Sequence, residues 1–239
     1  MENKIKIGPQ NKKRLLKDVV DIIKSPLESE GIYYQHSQTN MLNGYALVIG
    51  PKDTIYENGY YLFKFDFPSD YPYSPPKLTY LTNNGYTRFN PNLYISGKVC
   101  ISLLNTWRGE QWTSCQTIKT VLLTLITLFH NKALLNEPGV KESHLDFKNY
   151  HLIINYQNYK TAILNILNKK FLPFEFMIFY DTIKIHALEN KERNFENLRK
   201  LTEKYDNKRY NTGIYSMSER LNYSKIFNEL KKTYEKIIN

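Results

Sequence analysis

Residues 43–81 read NGYALVIGPKDTIYENGYYLFKFDFPSDYPYSPPKLTYL. Tyr61, Phe63, Phe65 and Phe67 alternate with Tyr60, Leu62, Lys64 and Asp66, a period of two with one strongly apolar face. Residues 45–49, 77–81 and, upstream, 32–35 carry the same aromatic and β-branched bias. Asn43-Gly44, Gly50-Pro51 and Asn58-Gly59 punctuate the gaps. Those gaps are too short for crossover helices, so the four strands are expected to form an antiparallel meander. Between the last two strands, Pro68, Pro72, Pro75 and Pro76 fix φ repeatedly and remove backbone donors. The result should be a stiff surface connector that presents Tyr73 and Ser74.

Working outward, residues 12–24 read as a helix. Leu15, Leu16, Val19, Ile22 and Ile23 recur at helical spacing, and Pro26 ends the element. It opens on Lys12-Lys13-Arg14. Residues 82–112 show almost no periodicity, and so long a structureless stretch inside a compact domain is normally functional. Helix resumes over 116–129, with Thr113 or Ser114 as its expected N-cap. Ile118, Val121, Leu122, Leu125 and Leu128 give it a wide apolar face, which makes it a central helix. Asn136-Glu137-Pro138-Gly139 breaks the chain. Residues 149–168, 174–208 and 216–238 then read as three further helices. The fold class is therefore α+β: residues 1–140 form a helix–meander–helix domain, and residues 141–239 form an all-helical extension.

Composition narrows the function. The chain has 239 residues, of which 41% are hydrophobic and 14% aromatic, which excludes whole-chain disorder. No stretch approaches the roughly 18 apolar residues of a membrane span. Met1-Glu2-Asn3-Lys4 lacks the apolar run of a secretory signal. Two cysteines, Cys100 and Cys115, exclude a disulfide framework and point to a reducing compartment. With only five histidines beside them, no structural zinc site is expected. The net charge of +10 raises a nucleic-acid reading. The charge is diffuse, however: residues 1–140 carry 15 basic and 11 acidic side chains, and the remainder carry 18 and 12. Nucleic acid is therefore not the expected partner. The excess of Lys, Asn, Ile and Tyr fits AT-rich coding. The expected location is cytoplasmic, or the cytoplasm or nucleus of a host if the source is a virus.

Cys100 lies in Gly97-Lys98-Val99-Cys100-Ile101-Ser102. Gly97 permits an irregular backbone before the thiol, and Asn92 stands eight residues upstream in a turn stiffened by Pro91. A thiol beside amide donors suits acyl transfer through a thioester. Cys115, expected in the first turn of the central helix, competes as nucleophile because a helix dipole lowers a thiol pKa. Neither cysteine has a His or Asp at a spacing that marks it as the base.

The chain resembles the ubiquitin-conjugating enzymes. The resemblance rests on Tyr71-Pro72-x-x-Pro75-Pro76, Pro91-Asn92, Cys100 and then Trp107 and Trp112, in that order. It is similar in finer detail to the Z-type subfamily, which has a C-terminal helical extension. The residues that carry this are Gly50-Pro51-x-Asp53-Thr54-x-Tyr56-Glu57, Phe89-Asn90-Pro91-Asn92, Gly97-Lys98-Val99-Cys100-x-Ser102, Thr106-Trp107 and Asn136-Glu137-Pro138-Gly139. The resemblance covers about residues 12–140. Most of the family has His in place of Asn90. The usual Trp-Ser-Pro-Ala reads Trp112-Thr113-Ser114-Cys115 here.

The resemblance implies that Cys100 accepts ubiquitin, or a ubiquitin-like protein, from an activating enzyme and passes it to a substrate lysine. Asn92 would support the oxyanion or hold the loop in shape, with Asn90, Pro91 and Glu137 supporting the site. Lys12, Lys13 and Arg14 would meet the activating enzyme, and Tyr73, Ser114 and Cys115 would form the face that docks a ligase. No ATP, metal or organic cofactor would be bound, since the activating enzyme uses the ATP. Two other readings stay open: a non-catalytic ubiquitin-binding scaffold, and a basic nucleic-acid module built on the helical tail.

Overall fold

A computed structural model describes residues 7–238 of the chain. Met1-Glu2-Asn3-Lys4, read above for a secretory signal, lies outside the described residues. Helix α1 (Pro9–Lys24) begins with proline in its first turn, where the missing N–H costs nothing. It buries Leu15, Val19 and Ile22. Four strands follow, β1 (Ile32–His36), β2 (Asn43–Ile49), β3 (Tyr60–Asp66) and β4 (Lys77–Tyr80). They form one antiparallel sheet in chain order, with Ala46 opposite Phe63 and Phe65 opposite Leu78. The expected meander is present.

Helix α2 (Ile118–Ile126) is shorter than its apolar pattern implied. Its N-cap is Thr117, whose hydroxyl accepts from the Thr120 N–H while the Thr120 hydroxyl accepts from the Thr117 N–H. This reciprocal box satisfies two orphan donors and fixes the start at Ile118. Thr113 and Ser114 are therefore not the cap, and Cys115 sits on an exposed turn before the helix instead of in its first turn.

The sheet is buried on both faces. Phe63 and Phe65 pack with Leu15, Ile22, Val121 and Leu125 in one core. On the opposite face Leu47, Ile49, Tyr60 and Leu62 pack against Tyr159, Ile163, Phe176 and Ile183 of the C-terminal extension. The single apolar face expected for β3 is thus two faces along most of its length.

The extension comprises α3 (Phe147–Gln157), α4 (Tyr180–Glu189), α5 (Lys191–Tyr205) and α6 (Tyr223–Ile238). A π-helical stretch, Asn158–Asn165, continues α3. The extension is not all-helical: β5 (Arg209–Asn211) and β6 (Ser218–Arg220) form a hairpin. Only short local pairing is possible there, because Gly213 and left-handed Tyr215 and Ser216 turn the chain back before a helix can nucleate. Helix α6 accordingly starts at Tyr223, later than its apolar pattern implied. The expected helix over 174–208 divides at Asn190, whose side chain donates to the His186 carbonyl and competes with the ladder.

Residues 53–58 anchor the extension to the β2–β3 connection. Asn158 Nδ2 donates to the Glu57 carbonyl (2.9 Å), and Tyr61 donates to Asn158 Oδ1 (2.6 Å). Asn58 Nδ2 donates to Asn194 Oδ1 (2.8 Å), and Arg193 pairs with both Glu57 and Asp53. A Cβ at Gly59 would come within 2.0 Å of Asn158 Oδ1, so glycine there lets the extension seat. Among the described residues, no helix is long and apolar enough to cross a membrane.

Candidate active site

The site is built on the long connection from β4 to α2. Its first part folds back on itself: Tyr94 N–H donates to the Lys98 carbonyl and Gly97 N–H to the Tyr94 carbonyl, both at 2.9 Å. Gly97 is left-handed (φ 87°), and a Cβ there would lie 3.0 Å from the Tyr80 carbonyl oxygen. Leu93 then pairs with Val99, which brings Asn92 and Cys100 face to face. Cys100 N–H donates to the Asn92 carbonyl (2.9 Å), and Asn92 Nδ2 donates to the Cys100 carbonyl (2.6 Å). Cys100 is 2% exposed and Asn92 5%.

Asn92 thus ties its own backbone to that of Cys100. Its Oδ1 has no partner among the described residues. The amide nitrogen uses one of its two N–H groups on Cys100 and keeps the second.

Asn90 is fully buried beside it. Its Nδ2 donates to the Leu128 carbonyl (2.8 Å), while its Oδ1 accepts from Asn92 N–H (2.9 Å) and Asn136 Nδ2 (3.3 Å). Lys132 N–H donates to His130 Nδ1, so the His130 proton sits on Nε2 and reaches Asn136 Oδ1 at 3.1 Å. Hydrogen bonds therefore link His130 to Asn136 and Asn136 to Asn90, and the Asn92 main chain converges on the same Asn90 oxygen. An imidazole is not needed at position 90, because an amide can accept and donate at once.

Beyond the thiol, the Thr106 hydroxyl accepts from Ile101 N–H and lies 3.1 Å from the carbonyl oxygens of Val99 and Ile101. One side chain thus clamps the backbone on both sides of Cys100. Asn105, left-handed at φ 56°, accepts from Trp112 N–H (2.8 Å). The Trp112 indole donates to the Pro72 carbonyl (2.7 Å). That bond joins the proline-rich loop bearing Tyr73 to the turn bearing Ser114 and Cys115. Tyr73 is 70% exposed, and Ser114 and Cys115 are also exposed.

Lys12 and Lys13 are exposed, whereas Arg14 is half-buried. Its guanidinium pairs with buried Asp18 (3.0 Å) and donates to the carbonyls of Ser114 (2.5 Å) and Gln116 (2.6 Å). Arg14 ties α1 to the turn before α2.

His130 and Asn105 are not marked by the sequence, and neither are Arg88 and Tyr215. Arg88 donates to the Asn90 carbonyl (3.2 Å) and the Pro91 carbonyl (2.6 Å), with its guanidinium stacked over the Tyr94 ring. Tyr215, from the β5–β6 loop, places its ring 5.0 Å from the Arg88 guanidinium and donates to Glu137 Oε2 (2.5 Å). Burial and the Glu137 carboxylate push the Tyr215 phenol far above its ordinary value, so it stays protonated and donates. No local signal marks either residue; Glu137 and Tyr215 are 78 positions apart.

A groove of about 540 Å³ is lined by Pro76, Lys77, Thr79, Lys98, Val99 and Thr106, of which Lys98, Val99 and Thr106 belong to the segment that carries Cys100. Among the described residues, no side chain is hydrogen-bonded to the Cys100 sulfur and no cluster of His, Cys, Asp and Glu could hold a metal ion. The arrangement is a thiol whose flanking backbone is held by Asn92 and Thr106, a setting compatible with acyl transfer through the sulfur.

A sequence profile described as ubiquitin-conjugating enzyme matches residues 14–166. The human protein named Ubiquitin-conjugating enzyme E2 Z is 37% identical over 166 residues, which are 68% of this chain and 46% of the human one. The zebrafish (Danio rerio) protein of the same name is 38% identical over 160 residues, 66% of this chain and 48% of that one. An African swine fever virus protein named Ubiquitin-conjugating enzyme E2 is 38% identical over 129 residues, 52% of this chain and 54% of the viral one. The chain spans about half the length of these curated relatives. With the matched stretch holding the meander, the Asn90–Cys100 loop and α2 together, the chain belongs to the ubiquitin-conjugating enzyme family, with the Z type among its relatives.

Proposed function

We propose that the chain carries ubiquitin, or a ubiquitin-like protein, as a thioester on Cys100 and passes it to substrate lysines. The Cys100 sulfur attacks the thioester carbonyl presented by an activating enzyme, whose own thiol leaves. A lysine ε-amine then attacks the new thioester, an amide forms, and the Cys100 thiol is released.

The observation that carries this reading is the frame around Cys100. The thiol sits in the family-matched stretch, with its backbone paired to Asn92 and clamped by Thr106 on both sides. Cys115 has no such frame and stands on an exposed turn. A thioester is already a good acyl donor, so a His–Asp pair is not required to activate the thiol. The harder task is to deprotonate a lysine whose pKa in water is about 10.4. A carboxylate near the incoming amine, with partial desolvation, lowers that barrier, and Glu137 is the residue proposed for it.

Lys12 and Lys13 are proposed to meet the activating enzyme, where exposed charge chiefly raises the association rate. Tyr73, Ser114 and Cys115 offer one joined face for a ligase. The chain is proposed to need no cofactor of its own. The E2 Z proteins and the viral protein bear the name ubiquitin-conjugating enzyme, which favours ubiquitin as the modifier.

The test is to incubate the protein with activating enzymes, ATP and each of several modifiers. A reducible adduct with ubiquitin, replaced in Cys100→Ser by an adduct that survives reductant, is the expected result. Adducts only with another modifier would move the assignment to that modifier, and no adduct with any would leave a binding scaffold.

A further inference from the structure

Tyr215 lies in the extension, more than 100 residues after Cys100, yet touches the support of the transfer site. Its backbone is left-handed (φ 59°, ψ 7°), and the following Ser216 is left-handed too (φ 50°). A bulky aromatic residue rarely adopts this conformation, and it persists only where the surroundings enforce it. The surroundings do so here. Asp146 Oδ2 accepts from Ile214 N–H (2.8 Å), Thr212 donates to the Ile214 carbonyl (2.7 Å), and Thr212 N–H donates to the Met217 carbonyl (2.9 Å).

The strained turn delivers one side chain to two targets. The phenol donates to Glu137, and the ring lies 5.0 Å from the Arg88 guanidinium. The Tyr94 ring also stacks on Arg88, at 3.3 Å, and the guanidinium donates to the carbonyls of Asn90 and Pro91. Tyr150, the ring beside Tyr215, holds the Arg88 carbonyl at 2.9 Å. The C-terminal extension therefore reaches both the Asn90–Cys100 loop and the carboxylate assigned to the incoming amine.

We infer that Tyr215 is a positioning residue for transfer out of Cys100, supplied in cis by the β5–β6 hairpin: it aims the Glu137 carboxylate and locks Arg88 against the Asn90–Pro91 backbone. This rests on the thioester reading of Cys100. The extension is then part of the transfer apparatus and not only a cover for the sheet. Acceptance of the modifier from another thioester involves no amine and should depend on Tyr215 far less than release to lysine does.

The experiment uses the full chain. It is charged with activating enzyme, ATP and ubiquitin, the charging is quenched, and discharge is followed in single turnover over a range of free lysine concentrations. For Tyr215→Phe, which keeps the ring over Arg88, charging should stay within about twofold of wild type. The limiting discharge rate should fall about tenfold, while loss of the bond to a charged group lowers the melting temperature by only several degrees and leaves the protein folded at the assay temperature. Glu137→Gln should fall comparably, and the double variant should fall no further than either single one. Tyr215→Ala should lose more, and if it does not fold, Tyr215→Phe still decides. Wild-type discharge by Tyr215→Phe, equal losses in charging and discharge, or multiplying losses in the double variant would each overturn the inference. Absence of any adduct on the wild-type protein would remove the thioester reading as well, whereas an adduct with unaltered Tyr215→Phe discharge would remove only the role of Tyr215.

Discussion

Arg14 illustrates how far burial changes the meaning of a charge. Within Lys12-Lys13-Arg14 it resembles one more cation for a partner protein. In the fold its guanidinium meets Asp18, whose side chain is 1% exposed against 23% for Arg14. Replacing Arg14 by alanine strands a buried carboxylate, a change that costs about 3–5 kcal/mol when no other partner remains. Asp18 keeps one other partner, the Tyr71 hydroxyl at 2.5 Å, and Arg14 is partly solvated. The expected loss is therefore about 2–3 kcal/mol. For a chain of this size each kcal/mol moves the melting temperature by about 2–4 °C, so Arg14→Ala should melt roughly 5–10 °C lower. Urea unfolding should show the midpoint lowered with the slope unchanged. Lys12→Ala and Lys13→Ala should each stay within about 0.5 kcal/mol of wild type. Their effect should appear as slower, more salt-sensitive charging by the activating enzyme. Arg14→Lys should fall between, because an ammonium cannot span Asp18 and the carbonyls of Ser114 and Gln116 together. An Arg14→Ala protein as stable as wild type, with a charging defect like that of the lysine variants, would refute the reasoning and return Arg14 to the docking face.

Two further outcomes can be checked directly. Asn92→Ala removes the 2.6 Å bond to the Cys100 carbonyl and should slow discharge to lysine more than charging, measured on the same preparation in single turnover; equal losses in both steps would indicate a folding defect. Burial lowers the pKa of His36, His151 and His186, each mainly through desolvation. The unfolded chain therefore takes up protons first as pH falls, and this part of the stability is present above about 6.5 and lost below it. Thermal melts from pH 7.5 downward should show the midpoint dropping through that region, and a flat profile would argue against it.

The elements legible in the sequence are those whose pattern is local. The alternation along Tyr60–Asp66 and the turn pairs Asn43-Gly44 and Asn58-Gly59 place the meander within a residue or two. Leu15, Val19 and Ile22 place α1. Cys100 and Asn92 stand out because they are eight positions apart with a tight glycine between them, and the fold pairs them across that turn. What escaped depends on distant partners. Thr117 caps α2 in place of Thr113 or Ser114 because Thr120 answers it, while Arg14, about 100 positions away, grips the turn before it. The second buried face of the sheet exists only because the extension returns to cover Tyr60 and Leu62. The β5–β6 hairpin has three-residue strands, too short to show alternation. Tyr215 carries no periodic or motif signal, and its meaning comes from Glu137 and Arg88.

The most direct measurement of the central claim is the mass of the protein after incubation with activating enzyme, ATP and ubiquitin, followed by mapping of the modified residue. The expected product is one added ubiquitin less one water, released by reductant, mapped to Cys100, abolished in Cys100→Ala and retained in Cys115→Ala. An adduct that persists in Cys100→Ala, or that maps to Cys115, would contradict it.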